Sequence, residues 1–370
     1  MIVRDEAAHL PDCLASIRDV VDEIVVVDTG SGDATREIAR TAGATVVDHV
    51  WNDSFADARN VGLDLASGDW ILYIDADERL RAPTSRAAMG LVLRQAEQDG
   101  VGALRVNLTL VAGQTHGYEW RLWRHHPTIR FEGLIHESIA PSIHRRLDVV
   151  GQRHADVDEV RLLHLGYEGD QIRKHHRNLP MLFAEAERNP TRPYLWNHLG
   201  RVLEGLGRVE EARMMWNRAI EVVRATDPDR RSLVDSMSHA DIVIRAAEAG
   251  RDESELIAEG LALFPGNWVI RWAAAVTALM HGDYGAAAEG AEAIIAAQPD
   301  QIHRGGLTYP TQLFADWPQH LLGMCRFEQG RYEEAAEAFD RASALAPEVP
   351  AYAVKAAAAR GVSERSTSLR

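Results

Sequence analysis

Trp70-Ile-Leu-Tyr-Ile74 is a run of apolar, β-branched and aromatic residues, too short for a helix and suited to a strand buried on both faces. It ends at Asp75, and Asp77 follows after a single alanine. If the strand runs on, the two carboxylates point to one side. If it curls at the edge of the sheet, both still face one crevice. Ligands of open α/β sheets bind outside the carboxyl ends of the strands. Two hard oxygen donors at such a tip suit Mg²⁺ or Mn²⁺ carrying a diphosphate, whereas a polar turn after a buried strand is the plainer alternative.

The chain before and after this run decides between them. Met1-Ile-Val begins as though already inside a strand, and a helical pattern follows with Leu10, Leu14 and Ile17 on one face. Glu23 to Asp28 reads as a second buried strand ending in an acid. Thr29 to Asp33 is a turn, Ser31 or Asp33 is placed to cap a helix from Ala34 to Ala42, and Gly43 stops it. A third strand over Ala44–Val50 and a helix over Ser54–Ala66, ended by Gly68, lead into the Trp70 strand. Strand and helix alternate throughout, which predicts a mostly parallel α/β sheet. Its crevice gathers Asp28, the turn after Val50, and Asp75 with Asp77. Asp28 is placed to accept from a base or a ribose hydroxyl. Backbone N–H groups near Gly30 and Gly32 can approach a ligand closely, and Arg59 can neutralise phosphate. The glycine spacing is not that of a dinucleotide site.

Several motifs now stand in order: Met1-Ile-Val-Arg-Asp-Glu6, Val27-Asp-Thr-Gly-Ser-Gly-Asp-Ala-Thr35, Ala58-Arg-Asn60, Ser67-Gly-Asp-Trp-Ile-Leu72 and Asp75-Ala-Asp-Glu78. Together they resemble the nucleotide-sugar half of family-two inverting glycosyltransferases, of GT-A fold, over residues 1–170. The resemblance implies a UDP- or other NDP-sugar donor and a divalent metal, Mn or Mg. By it Asp28, Gly30, Arg59 and Arg4 belong to the donor side, Asp75 and Asp77 to the sugar–ribose and metal–diphosphate region, with Asn60 a further candidate. Members of the family carry several more β residues before the stretch matching Met1. The expectation is therefore a start assigned too far downstream, or a truncated first strand.

Beyond Ala82 the pattern predicts a helix over Thr84–Gln98 and an alternating strand over Gly102–Val111. Tyr118-Glu-Trp-Arg-Leu-Trp-Arg124 alternates aromatic and basic residues, as an acceptor groove or an amphipathic edge strand would. Ile129 to Glu137 and Leu162 to Tyr167 also resemble the glycosyltransferase subgroup. An inverting transfer needs a base for the acceptor and a Lewis acid for the leaving diphosphate. The resemblance puts Glu137 in the position of the base and makes His164 a metal ligand beside Asp77 and Asp75. His136 competes for either role.

After Tyr167 the β signal stops. Gln171 to Arg188 reads as a helix interrupted near Pro180. Trp196-x2-Leu199-Gly200-x2-Leu203 with Ala212-x3-Trp216 and Ala219 has tetratricopeptide spacing, as do Leu322-Gly323, Ala335-x3-Phe339, Ala342 and Pro347. Arg271–Pro299 is a weaker copy, Ser232–Pro265 a degenerate helix pair, and Gln301–Pro318 an insertion rich in Gly, Pro and aromatics. Residues 171–360 are thus a helical repeat domain, and 361–370, rich in Ser and Arg, a disordered tail. Such arrays bind partners; a helical cap that stabilises the front domain or makes a homodimer is the alternative.

A net charge of −15, from 55 acidic and 40 basic residues, argues against nucleic acid and anionic membranes as general partners. No apolar run reaches membrane-spanning length. Cys13 and Cys325 have no metal-ligand spacing and read as reduced thiols of a cytoplasmic protein. The expectation is a cytoplasmic glycosyltransferase acting on a peptide or protein, a glycan or a small molecule presented through the repeats. A scaffold with a degenerate front domain and a nucleotidyltransferase are the alternatives.

Overall fold

The computed structural model describes residues 1–110, 113–165, 171–303 and 306–368. By internal contacts the chain forms two compact units. The first holds Met1–Ala112, His116–Pro190 and Arg201–Arg208; the second holds Gly113–Thr115, Thr191–Gly200 and Val209–Arg370.

The first unit opens with β1 (Ile2–Val3), α1 (Leu10–Ile17), β2 (Val25–Asp28), α2 (Thr35–Thr41), β3 (Thr45–Asp48) and α3 (Phe55–Leu65). Then come β4 (Trp70–Leu72), β5 (Glu78–Ala82), α4 (Arg86–Gln98), β6 (Val101–Leu110), β7 (Gly117–Arg124), α5 (Ala140–Val150), β8 (Arg153–His164) and α6 (Gln171–Arg188). Local chemistry explains the boundaries. Ser54 accepts the Asp57 N–H at 3.1 Å to start α3, Ser85 accepts the Ala88 N–H at 3.3 Å to start α4, and Gly43, at φ +84°, ends α2. The apolar stripe of α1, with Leu10, Cys13, Leu14 and Ile17 buried, packs into the main core of this unit.

The expected α/β architecture is present, but not as one mostly parallel sheet. β1, β2 and β3 form a parallel sheet of three, while β4-β7-β6-β8-β5 form a mixed sheet in which only β6 and β8 run parallel. The reason is the length of β1, whose two residues pair with β2 alone. Beside it lies a cavity of about 790 Å³ lined by Met1, Val25, Gly68, Trp70, Leu72 and Leu122 among others. The Met1 ammonium donates to the Val25 carbonyl at 3.0 Å, and burial lowers its pKa to about 6. A second correction concerns Tyr118–Arg124. It lies in β7, which is not an edge strand but is paired with both β4 and β6, and it buries Arg121, Leu122 and Trp123.

The helix from Gln171 continues through Pro180 without interruption; Pro180 is exposed, while Met181, Leu182, Glu185 and Ala186 are buried. Helices α7 (Pro193–Gly205), α8 (Val209–Ala225), α9 (Met237–Glu248), α10 (Ser254–Leu263), α11 (Trp268–Met280) and α12 (Tyr284–Ile295) follow. After the short α13 (Pro299–Ile302) come α14 (Asp316–Glu328), α15 (Tyr332–Leu345) and α16 (Pro350–Ser368). Small residues at the repeat positions let neighbouring helices approach closely. A Cβ on Gly200 would lie 2.2 Å from Trp216 Nε1, one on Gly323 2.6 Å from the Phe339 ring, and one on Gly290 2.8 Å from Ala275 Cβ. The aromatic-rich insertion buries Tyr309 and Leu313. Where composition predicts a disordered tail, α16 runs on to Ser368; residues 369 and 370 lie outside the described ones. Among the described residues no helix is long and apolar enough to cross a membrane.

Candidate active site

The carboxyl end of β4 does not continue as a strand. Asp75 to Glu78 form a tight turn closed by the Glu78 N–H on the Asp75 carbonyl at 3.0 Å, and β5 begins at Glu78. The turn rests on α1: the Cys13 thiol donates to the Asp75 carbonyl at 3.3 Å, and Ser16 Oγ accepts the Leu80 N–H at 3.1 Å. Consequently the two acids separated by Ala76 have different partners.

Asp75 meets cations. Arg59 Nη1 donates to Oδ1 at 2.9 Å, the Tyr73 hydroxyl donates to Oδ2 at 2.8 Å, and Arg121 Nη1 stands 3.7 Å from Oδ2. Burial works against ionisation of Asp75, yet Arg59 and then Arg121 outweigh it and hold the carboxyl below its usual range. Arg121 also donates through Nη2 to Glu78 Oε1 at 2.7 Å, and the Asp75 N–H donates to Glu78 Oε2 at 3.0 Å. Burial pushes the Glu78 carboxyl up to about 7, with the Asp75 charge adding to it and Arg121 opposing. Both guanidiniums lie over the Tyr73 ring, Arg59 at 4.4 Å and Arg121 at 4.1 Å from its centroid.

Glu137 enters the same cluster from far along the chain, its Oε1 accepting from Arg59 Nε at 2.5 Å. Arg59 therefore joins the base candidate to Asp75. The sequence reading gives Arg59 to a phosphate; the structure gives both edges of its buried guanidinium to carboxylates instead. Asn60, a candidate donor-side residue, clamps the backbone of Phe131 in both directions, at 2.9 and 3.0 Å. His136 adopts φ +50° next to Glu137.

Asp77 lies against His164, with Oδ2 3.4 Å from Nε2. Strand register brings this pair together: Glu78 is paired with His164 across β5 and β8, and the Leu165 N–H donates to the Asp77 carbonyl at 2.8 Å. Among the described residues no group of three or more His, Cys, Asp or Glu side chains is arranged to hold a metal ion by itself. Asp75, the third expected ligand, already has both oxygens engaged.

The loops after β1 and β2 are stitched to each other. Asp5 Oδ1 accepts the Gly32 N–H at 2.7 Å, Ser31 Oγ the Asp5 N–H at 2.9 Å, Thr35 Oγ1 the Glu6 N–H at 2.8 Å, and Asp33 Oδ2 the Ala7 N–H at 3.1 Å. Asp33 also accepts the Thr35 N–H, although α2 itself begins after Ala34 without a side-chain cap. Asp28 sits beneath these loops. Its Oδ1 accepts the N–H groups of Gly30 at 3.0 Å and Ser31 at 2.8 Å, with Gly30 at φ +108°, while Oδ2 is buried with no hydrogen-bond partner among the described residues. A buried acceptor left unpaired is unusual and marks a place where a ligand's N–H or O–H fits. Arg4 is exposed on the first loop.

Sequence reasoning assigns no role to Tyr73 or Glu78 and reads Arg121 only as part of an alternating stretch. The signal for Arg121 was a basic residue within the aromatic run Trp120–Trp123, and for Glu78 its place directly after the acid pair.

The model of Glycosyl transferase family 2 matches residues 1–139, and that of the Tetratricopeptide repeat matches residues 318–349. A TPR repeat-containing protein of Synechococcus elongatus is 45% identical over 146 residues, 39% of this chain and 35% of that protein. The SPbeta prophage-derived glycosyltransferase SunS of Bacillus subtilis is 24% identical over 247 residues, 64% of this chain and 56% of that protein. The chain thus spans between about one third and somewhat over half of these relatives' lengths. Among solved structures, glucosyl-3-phosphoglycerate synthase from Mycobacterium tuberculosis in complex with Mn²⁺, UDP-Glc and phosphoglyceric acid overlaps 50% of this chain and 77% of its own, at 17% identity and a TM-score of 0.36. Residues 1–139 thus carry a family-two glycosyltransferase domain, and residues 318–349 of the same chain a tetratricopeptide repeat.

Proposed function

We propose that this glycosyltransferase domain is metal-dependent and inverting, and that it moves a sugar from a nucleoside-diphosphate donor, with UDP the first to be tested. The observation that carries the reading is the convergence at the end of β4, where Asp75, Asp77 and Glu137 come from two distant segments of the chain. Asp28, with one buried oxygen that has no hydrogen-bond partner among the described residues, accepts a hydrogen bond from the base or ribose of the donor. The backbone around Gly30 lets the nucleotide approach closely. Asp77 and His164 fit a divalent ion as an adjacent oxygen and nitrogen pair, a donor set that Mn²⁺ accepts readily and Mg²⁺ less so. When bound, the ion would neutralise charge on the diphosphate as it leaves.

The remaining chemistry belongs to the chain. Glu137 takes the proton from the acceptor nucleophile, and its bond to Arg59 fixes where that carboxylate stands. Asp75, kept ionised by Arg59 and Arg121, accepts from a sugar or ribose hydroxyl at a lone pair that Arg59 and Tyr73 leave open. Attack from the face opposite the leaving diphosphate inverts the anomeric centre in one displacement. The acceptor is a peptide or protein, a glycan or a small molecule, and the helical repeats contribute to holding it. The reading places the domain in the cytoplasm, where buried thiols such as Cys13 and Cys325 stay reduced.

Calorimetric titration with UDP, in Mn²⁺ and then in EDTA, tests the donor site. The expected result is metal-dependent binding that Asp77→Ala abolishes, and that Glu137→Gln retains while lowering turnover by about a hundredfold or more. Equal UDP binding in EDTA or in Asp77→Ala would remove the metal assignment. Wild-type turnover in Glu137→Gln would remove Glu137 as the base.

A further inference from the structure

The loop carrying Glu137 is held by a residue far outside the motifs. Residues 132 and 138 exchange backbone hydrogen bonds, Glu132 N–H to Ser138 at 3.0 Å and the reverse at 2.9 Å, which close the segment between them into a small loop. Its outer side is fixed at Leu134. The Leu134 carbonyl accepts the Phe55 N–H at 2.9 Å, at the start of the helix that bears Arg59. The Leu134 N–H donates to Glu185 Oε2 at 3.0 Å, and Glu185 Oε1 accepts from Asn189 Nδ2 at 2.9 Å.

Glu185 lies on α6 and is only 2% exposed. It is a carboxylate in the core with two neutral donors on its oxygens, an arrangement that a purely apolar packing role would not select. Gly133 completes the contact. At φ +102° it takes a conformation that favours glycine, and a Cβ there would stand 3.1 Å from Glu185 Oε1 and 3.6 Å from Glu137 Cα. The space beside Gly133 is thus bounded both by the acid on α6 and by the backbone of the base candidate.

We propose that Glu185 is a positioning residue: through the Leu134 N–H it sets the loop 133–137, and with it the point at which Glu137 meets Arg59. The catalytic part of this proposal rests on the reading of Glu137 as the base. Gln at this position can still accept from Leu134, and the Asn189 amide can turn to match it, so Glu185→Gln preserves the hold. Glu185→Ala removes it and leaves the Leu134 N–H without an acceptor.

Hydrogen exchange of the segment 131–138, UDP binding in Mn²⁺ and hydrolytic turnover of UDP-glucose, measured on the full chain, test this. In Glu185→Ala, exchange across 131–138 should rise at least tenfold with other segments of the first unit unchanged. UDP affinity and donor KM should stay within about twofold, while kcat falls at least tenfold. Glu185→Gln should restore both exchange and kcat to within about threefold of wild type. Unchanged exchange at 131–138 in Glu185→Ala, or exchange raised equally everywhere, overturns the proposal. So does a loss confined to UDP binding. If the wild-type chain does not turn over UDP-glucose, exchange alone decides the positioning role. If Glu137→Gln is fully active while exchange behaves as expected, the reading of Glu137 fails and the hold by Glu185 stands.

Discussion

The two units bury their difficult residues in different ways. In the first, Arg59 and Arg121 are taken out of water among Asp75, Glu78 and Glu137, each charge answered by another within hydrogen-bonding distance. In the second, the recurrent problem is bulk rather than charge, and it is met by leaving out atoms: Gly200 faces Trp216 and Gly323 faces Phe339. Trp216 keeps its one polar atom satisfied by donating from Nε1 to the Asn197 carbonyl at 3.2 Å. The difference teaches what each unit is built to tolerate. A charge cluster is a single arrangement whose members fail together. A repeat seam is a local fit used several times, and its errors stay local.

The sharpest way to break this comparison is Arg59→Ala. It leaves Asp75 and Glu137 without their shared partner, and the expected loss is about 3–5 kcal/mol, read by urea denaturation with circular dichroism. A loss under about 1 kcal/mol would mean that the cluster is solvated like a surface pair. Next come Gly200→Ala and Gly323→Ala. Each forces a methyl group against an aromatic ring and is expected to cost about 1–3 kcal/mol, with the two costs of like size. One severe and one neutral result would show that the two repeats are not packed alike.

The smallest effect expected is pH dependence in the second unit. His320 Nε2 lies 2.6 Å from Lys355 Nζ, and burial, reinforced by that ammonium, lowers the imidazole pKa to about 4 from its ordinary 6.5. The unfolded chain then binds the proton more readily. Stability is fully present above pH 6.5 and is lost as pH falls toward 4. His320→Gln keeps an acceptor for Lys355 without titrating, so its melting temperature should fall less steeply over that interval. Parallel slopes in the two proteins would show that His320 does not couple to folding.

The sequence carried different parts of this molecule with different clarity. Strand ends, turns and the acid pair were legible because they depend on residues close in the chain: Asp28 ends β2, and Gly30, Asp75 and Asp77 stand in the turns that follow strands. Tyr73 and Arg121 were not, because their contact depends on which strand lies beside β4. The Tyr73 N–H donates to the Arg121 carbonyl at 2.7 Å, a pairing of residues 48 positions apart in sequence that no local pattern encodes. The same holds for Glu185. The split of the sheet followed from the short β1, but alternation of strands and helices reports only order along the chain, not which edges meet. In the second unit the helices were plain from spacing. The misjudged ends have local causes: the alanine-rich stretch of α16 favours helix past the point where Ser and Arg suggested disorder, and the buried positions after Pro180 keep α6 continuous.

Tyr73 has a consequence for how the site tolerates change. One aromatic ring is shared by two cations that would otherwise repel each other in a medium of low polarity. The ring works as a spacer with a favourable charge distribution, and its hydroxyl is a separate device aimed at Asp75. Those two duties can be parted by chemistry: phenylalanine keeps the spacer and drops the hydroxyl, while leucine drops both. Of the two replacements only phenylalanine leaves an aromatic ring between these two charges.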